Sequence, residues 1–355
     1  MISFYINKKK ISKNSKTYFI ADIAANHDGS LTRAKKLIKL CAQAGADAAK
    51  FQHFKAETII SDFGFKNLRK LSHQKKWKKS VFEVYKAASI NFMWTEILAK
   101  ECKKNKIDFM TTPYDLKYVD QVYKYISAYK IGSGDITWHE IIKKISKKKK
   151  PVLFATGAST LNEVKSAFKI INKYNNKIVI MQCNTNYTGK NENYNFINLK
   201  VLNTFDKLFG KRAVLGLSDH TQGMETVLGA VALGARVIEK HFTDDNSRNG
   251  PDHEFSMNPK TWGDMVNSTR ILEKALGKNE KKIERNEKDS SIIQRRSIRA
   301  AVNIKKGEKI KKQMICALRP YPKNSLNPYE DKKILNKISK KKIKKGECIS
   351  WKNII

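Results

Sequence analysis

Two lysines lie inside otherwise apolar runs, Lys50 in AAKFQ and Lys130 in YKIGS. One such lysine is usually a surface residue whose stem lies along apolar neighbours. Two, with Gln52, Thr112 and Ser133 close to strand ends, point into a place that needs positive charge. Phosphate or carboxylate is the natural ligand for such a pair. The competing chemistry is a Schiff base on one lysine, which borohydride trapping with a keto-acid separates from anion binding. Two histidines give the second signal. His220 follows AVLGLSD, and His241 sits 21 residues later in ARVIEKHF beside Glu239. At the ends of neighbouring strands, two imidazoles could hold a divalent metal and leave positions for substrate and water. Each could equally be a hydrogen-bonded structural residue. Imidazole donors favour Mn, Fe, Co or Zn over Mg. His27 and His253 are weaker candidates.

These residues need elements to hold them. Up to Gly277, eight short apolar runs (17–24, 46–52, 106–112, 127–133, 151–156, 177–183, 213–219 and 235–242) alternate with amphipathic stretches. In LTRAKKLIKLCAQAG, for example, Leu31, Ala34, Leu37, Ile38 and Cys41 recur at helical spacing. Eight such units predict a (β/α)8 TIM barrel, an α/β fold. A doubly wound sheet is the runner-up, but no G-x-G-x-x-G follows the first strand. Active sites of such barrels lie at the C-terminal strand ends. Those ends carry Asp22, Asn26 and His27; Lys50 and Gln52; Thr112; Lys130, Ser133 and Asp135; Thr156; Asn184 and Tyr187; Ser218, Asp219 and His220; and Glu239, Lys240 and His241. The polar and aromatic excursion 61–92 reads as a lid over the barrel mouth.

Beyond the barrel domain (1–277), the charged stretch 278–296 reads as a linker, and 297–355 as a small β-rich domain. Ile298, Ala300, Val302 and Ile304 alternate with a period of two. IKKGEKI (304–310) recurs 39 residues later as IKKGECI (343–349), each with a glycine at a turn. Two related hairpin-like units follow from that repeat. About 60 residues is a marginal size for independent stability, so this domain should lean on a larger body.

Composition narrows the classes. The chain has 355 residues and a formal net charge of +38. Lysines supply most of the basic side chains and are spread from end to end, with few interleaved arginines or aromatics. Nucleic-acid readers lean on arginine and stacking rings, so no nucleic-acid partner is expected and the surface reads as lysine-decorated. A basic field would still attract an anionic substrate. The five cysteines are scattered and form no C-x-x-C pair, which fits free thiols in a reducing compartment. No apolar run approaches a membrane span, and the first residues have no secretory pattern. A soluble, cytoplasmic protein without a membrane partner is expected.

In order along the chain, ADIAANHDGSL (21–31), KFQ (50–52), TTPYD (111–115), YKIGSGD (129–135), ATG (155–157), GLSDHT (216–221), GARVIEKHF (234–242) and GPDH (250–253) resemble the motifs of the sialic acid synthase family. RRSIRA (295–300), IKKGE and Arg319-Pro320 resemble its C-terminal SAF, or antifreeze-like, domain. The resemblance covers essentially the whole chain. It implies condensation of phosphoenolpyruvate with an N-acylated amino-sugar aldehyde, such as N-acetylmannosamine, to a sialic-type acid and phosphate. Legionaminate or pseudaminate synthesis from a 2,4-diacetamido-trideoxyhexose is the alternative within the family. It also implies a divalent metal, Mn2+ with Mg2+ or Co2+ as substitutes, and a domain-swapped homodimer in which the SAF domain caps the partner's site.

Carried over by position, Lys50, Thr112, Lys130, Ser133 and Ser218 match phosphoenolpyruvate-binding residues. His220 and His241 match metal ligands. Asp22, Asp135 and Glu239 match catalytic carboxylates, and Gln52, Tyr187 and Asp252 match sugar-facing residues. Arg319 matches the arginine that reaches the sugar's N-acyl group. The chain departs from the family pattern at Asp22 and Asp135, where Glu is usual, and at Ala155, where a serine is common. CNTNYT (183–188) and RPYPKN (319–324) depart from it as well.

Overall fold

The computed structural model describes residues 2–355 except 69–73 and 76. It divides into two compact units, Met1–Gly277 and Lys278–Ile355. The first opens with an antiparallel hairpin of β1 (Ser3–Ile6) and β2 (Lys9–Ser12). Eight parallel strands follow: β3 (Tyr18–Asp22), β4 (Ala48–His53), β5 (Asp108–Pro113), β6 (Tyr129–Ile131), β7 (Val152–Ala155), β8 (Ile178–Cys183), β9 (Val214–Asp219) and β10 (Val237–His241). They close in the order β10-β3-β4-β5-β6-β7-β8-β9, with helices between successive strands. Each strand coincides with one of the apolar runs, β4 and β5 extending one residue past theirs, so the TIM barrel is as expected. Closure pairs His241 with Asp22 across β10 and β3, joining the two ends of the domain at the site.

The helices form where sequence supplies both a start signal and a stripe. In Leu31–Gln43, Ser30 caps the N-terminus by accepting from the Arg33 amide, and Ala34, Leu37, Ile38 and Cys41 are buried. Helix Leu161–Tyr174 starts in a capping box made by Thr160 and Glu163.

Strand alternation sorts the barrel into two apolar layers. Phe19, Ala49, Phe51, Tyr129, Ile131, Leu215, Leu217 and Ile238 face outward against the helices. Tyr18, Ile20, Ala48, Met110, Ala128, Leu153, Val179, Val214 and Val237 fill the barrel interior. Two residues further along, the same inward direction is taken by Asp22, Lys50, Lys130 and Glu239, and four residues after Val214 by Ser218. A dry lower layer therefore supports a charged upper one.

The hairpin had no counterpart in the sequence reading. Phe4, Ile6 and Ile11 belong to the interior layer, where each buried side chain contributes about 1.5–3 kcal/mol. Below them, Asp108 accepts from Tyr18 Oη (2.6 Å), Asn7 Nδ2 (2.9 Å) and Ser127 Oγ (3.0 Å), so its burial leaves no orphaned charge. After β4 come helices Ala56–Ile59, Asp62–Asn67 and Val81–Ala88, within and just before the expected lid.

The second unit has its own core, including Ile298, Ile304, Ile310, Leu326, Ile343, Ile349 and Ile354. β11 (Ser297–Ala300) pairs antiparallel with β12 (Ile315–Leu318). The regular strand ends at Ala300, and Val302, expected to continue the alternation, is exposed while Ile304 is buried. The charged stretch 278–296 contains helix Lys288–Ile293, and the Tyr321 amide donates to Ile292 O at 2.8 Å.

The repeat pairs with itself. Ile304 and Ile343, equivalent positions of the two copies, exchange both backbone hydrogen bonds at 2.9 Å. Gly307 N donates to Ser339 O and Gly346 N to Ala300 O, both at 2.8 Å, and each pair maps onto the other by the 39-residue shift. Ile310 N to Lys337 O and Ile349 N to Ile298 O, both 2.9 Å, obey the same relation. Both turn glycines sit at φ +83°, a left-handed conformation that suits glycine.

Candidate active site

A cavity of about 420 Å³ opens at the C-terminal end of the barrel. Thirteen of the fourteen candidate residues line it: Asp22, Lys50, Gln52, Thr112, Lys130, Ser133, Asp135, Tyr187, Ser218, His220, Glu239, His241 and Asp252. Arg319 is the exception. It lies in the second unit, after β12, and is exposed.

Its floor is made of two ion pairs. Lys50 Nζ lies 2.6 Å from Asp22 Oδ2, and Lys130 Nζ lies 2.6 Å from Glu239 Oε1; both lysines are 2% exposed. Lys50 is also 3.8 Å from Glu239 and 3.4 Å from Thr112 Oγ1, while Lys130 reaches Ser218 Oγ at 3.4 Å. Gln52 Nε2 donates to Asp22 Oδ2 at 3.2 Å. Burial alone would raise Asp22, but the Lys50 ammonium beside it holds its carboxyl below the usual carboxylate range. Burial likewise opposes the Lys50 charge, yet Asp22 and Glu239 carry its ammonium above the ordinary lysine value. Lys50 therefore stays cationic in a nearly dry setting, and Ser133 and Ser218 line the same cavity. Glu239 keeps one oxygen, Oε2, buried without a hydrogen-bond partner. Such an arrangement can bind a compact anion and retain carboxylates within reach of it.

The histidine pair stands above. The ring centroids of His220 and His241 are 5.3 Å apart. His220 Nδ1 donates to Asn184 O at 2.8 Å, so Nε2 carries the lone pair whenever the ring is neutral; burial opposes the ring's charge, but Cys183 and then the Asn184 carbonyl raise it above the ordinary histidine value. Burial pushes His241 down to about 3, so its ring is neutral at pH 7. Its Nδ1 is buried without a hydrogen-bond partner, 3.9 Å from Asp252, and its Nε2 is 3.7 Å from Asp22. A neutral imidazole with an orphaned nitrogen, facing another with a directed lone pair, fits a divalent metal. Among the described residues, no set of three or more His, Cys, Asp or Glu side chains is grouped at ligand spacing. Two protein ligands match an open catalytic site better than a closed structural one.

Asp135 follows β6 in a short 3-10 turn, Ser133–Asp135, and burial pushes its carboxyl up to about 6. Burial lifts Asp252 to about 6 as well, although the Ala25 amide donates to it at 3.1 Å. The Tyr187 ring lies 4.3 Å from that of His220.

Several strand-end residues turn away. Thr156 Oγ1 donates to Met181 O, and Asn26 Nδ2 to Phe242 O and Ser256 Oγ, each at 2.9 Å. His27 packs edge-on to Trp94, and His253 is bonded to Asp28 and Thr243, so neither faces the histidine pair. Asp219 and Lys240 meet each other outside the cavity. Other lining residues had not been singled out: Phe65, Trp77, Val84 and Tyr85 within the expected lid 61–92, Phe54 and Ile60 just before it, and Tyr114 and Cys183. Tyr114 and Cys183 lie next to motif residues at strand ends, a signal that could have found them. The apolar group has no spacing that distinguishes it from core.

Among the described residues no helix is long and apolar enough to cross a membrane. The model of the NeuB family matches residues 37–281, and that of the SAF domain matches residues 295–355. The N,N'-diacetyllegionaminic acid synthase of Campylobacter jejuni is 36% identical over 341 residues, covering 94% of this chain and 99% of that protein. The pseudaminic acid synthase of the same species is 31% identical over 345 residues, covering 95% and 96%. Among solved structures, N-acetylneuraminic acid synthetase from Leptospira borgpetersenii superposes with a TM-score of 0.71 at 26% identity, covering 81% of this chain and 95% of that one.

Proposed function

The chain belongs to the NeuB family, and from that membership we propose that it condenses phosphoenolpyruvate with an N-acylated amino-sugar aldehyde to a nonulosonic acid and phosphate. One observation carries the reading: two buried, carboxylate-paired lysines at the floor of a cavity of about 420 Å³, a size that accommodates small metabolites.

In this reading Lys50, Lys130, Thr112, Ser133 and Ser218 hold the phosphate and carboxylate of phosphoenolpyruvate. Its C3 forms a bond to the aldehyde carbon, and water adds at C2. The tetrahedral adduct then expels phosphate by C–O cleavage. His220 and His241 would hold the divalent metal, Mn2+ in this proposal, which supplies positive charge for the aldehyde oxygen. Asp22, Glu239 and Asp135 orient water and aldehyde and carry protons. Gln52, Tyr187 and Asp252 face the sugar. Arg319 serves the partner's site in a domain-swapped homodimer; its exposure supports that role.

The apolar wall of Phe54, Ile60, Phe65 and Val84 favours one sugar class over another. A 2,4-diacetamido-trideoxyhexose offers a methyl group and a second acyl group where N-acetylmannosamine offers hydroxyls, and apolar side chains do not satisfy hydroxyls. The test is phosphate release from phosphoenolpyruvate and Mn2+ with a panel of N-acylhexosamines. Release is expected only with all three components, fastest with the diacetamido sugar. No release with any member of the panel would overturn the condensation.

Asp135 gives a pH prediction. Its raised value means the carboxyl is neutral below about pH 6 and ionised above it. Acting as a base, it imposes an acidic limb on kcat/KM, falling about tenfold per pH unit. Asp135→Asn should remove that limb together with most activity. A limb that persists in Asp135→Asn assigns the titration to another group.

A further inference from the structure

β9 and β10 run in register, with Glu239 opposite Ser218 and Lys240 opposite Asp219. Alternation sends Ser218, His220, Glu239 and His241 into the barrel mouth. Asp219 and Lys240 therefore point the other way, one residue before each histidine. There they form an ion pair in which each side chain is 1% exposed. The pair is fully supported. Lys240 Nζ also donates to Thr221 O at 2.6 Å. Asp219 Oδ2 accepts from Thr221 Oγ1 and Thr226 Oγ1, both at 2.8 Å, and Thr226 lies in the first turn of helix Glu225–Ala232. The β9–β10 ladder ends at this pair, so it is the last tie between the two strands below the imidazoles.

Buried ion pairs are weak sources of stability, since apolar residues of similar size often do as well. What this pair supplies is geometry. We propose that Asp219 and Lys240 are positioning residues for metal binding: their buried ion pair fixes the ends of β9 and β10 so that His220 and His241 present their free nitrogens to one ion. The inference rests on the metal reading of the histidine pair given above.

The experiment measures Mn2+ binding by calorimetry on the full chain, freed of metal, with thermal unfolding recorded alongside. Asp219→Asn/Lys240→Met removes both charges at once, so no unpaired charge is left buried, and the amide still accepts from the threonines. The double variant should fold, bind Mn2+ roughly ten- to a hundredfold more weakly, and recover most of its turnover at saturating Mn2+. The phosphoenolpyruvate KM should stay within about twofold of wild type when Mn2+ saturates, because the two lysines of the floor are untouched. Thr226→Val, which deletes one hydrogen bond and no charge, should weaken Mn2+ binding in the same direction by a smaller factor. A folded double variant with wild-type Mn2+ affinity overturns the proposal. Should the double variant not fold, unchanged Mn2+ affinity in Thr226→Val overturns it instead. Wild-type protein that binds no Mn2+ overturns the metal reading itself, an outcome distinct from equal binding by wild type and variants.

Discussion

Replacing Lys130 with alanine is expected to lower kcat/KM for phosphoenolpyruvate by at least roughly ten- to a hundredfold, the equivalent of one charge-assisted contact of about 1.5–3 kcal/mol. The ion pair at the floor makes the loss larger than the missing contact alone. Lys130 lies 2.6 Å from Glu239, whose other oxygen is already unpartnered, so the variant leaves a buried carboxylate where an anion must bind. Two effects are therefore superimposed and can be separated. Lys130→Ala/Glu239→Gln should be less impaired in phosphoenolpyruvate affinity than Lys130→Ala, because the repelling charge is gone. Equal affinities would mean that Glu239 does not face the substrate. Wild-type protein should resist borohydride in the presence of substrates. Covalent trapping at Lys50 or Lys130 would replace the condensation mechanism with a Schiff-base one.

Removing an imidazole should be more severe still. His241→Ala and His220→Ala are each expected to abolish turnover and the response to Mn2+, and chelation should do the same to wild type. Folding should persist, since an open site with two protein ligands contributes less to stability than a closed one. Full activity of metal-stripped wild type would refute the assignment. The same variant tests completion in trans. Mixed with Arg319→Ala by co-expression, His241→Ala should regain activity, because a mixed dimer holds one site with both side chains intact. Random assembly makes about half the dimers mixed, so recovery approaches roughly a quarter of wild type. Mixed dimers that form, as shown by mass, yet stay inactive would remove Arg319 from the partner's site.

The barrel was legible because its strands are buried on both faces, which turns each into a short apolar run bounded by helix-like sequence. Lys50 and Lys130 stood out for the same reason: a charge inside such a run must point at something. The hairpin Ser3–Ser12 was hidden because lysines at 8–10 mask three inward-facing apolar residues, Phe4, Ile6 and Ile11. At the site, the polar floor could be read from strand ends, since alternation fixes their direction. Asp219 and Lys240 show the limit of that reading. They share strand ends with His220 and His241 but lie one position out of phase, and only the register tells which of two adjacent polar residues looks inward. The apolar wall after β4 was legible as a segment, 61–92, but not residue by residue, because nothing in its spacing marks which side chains face the cavity.

The paired repeat in the second unit has a consequence for how that unit assembles. Besides the pairing of β11 with β12, Ile298, Ala300, Ile304, Gly307 and Ile310 make their repeat-related hydrogen bonds with residues of 337–349. The unit is in this respect a dimer whose two subunits happen to share one chain, joined by the segment that contains β12. Closing the intervening loop comes before the reward of these pairings, so the halves should order together and late, without a stage in which one stands finished alone.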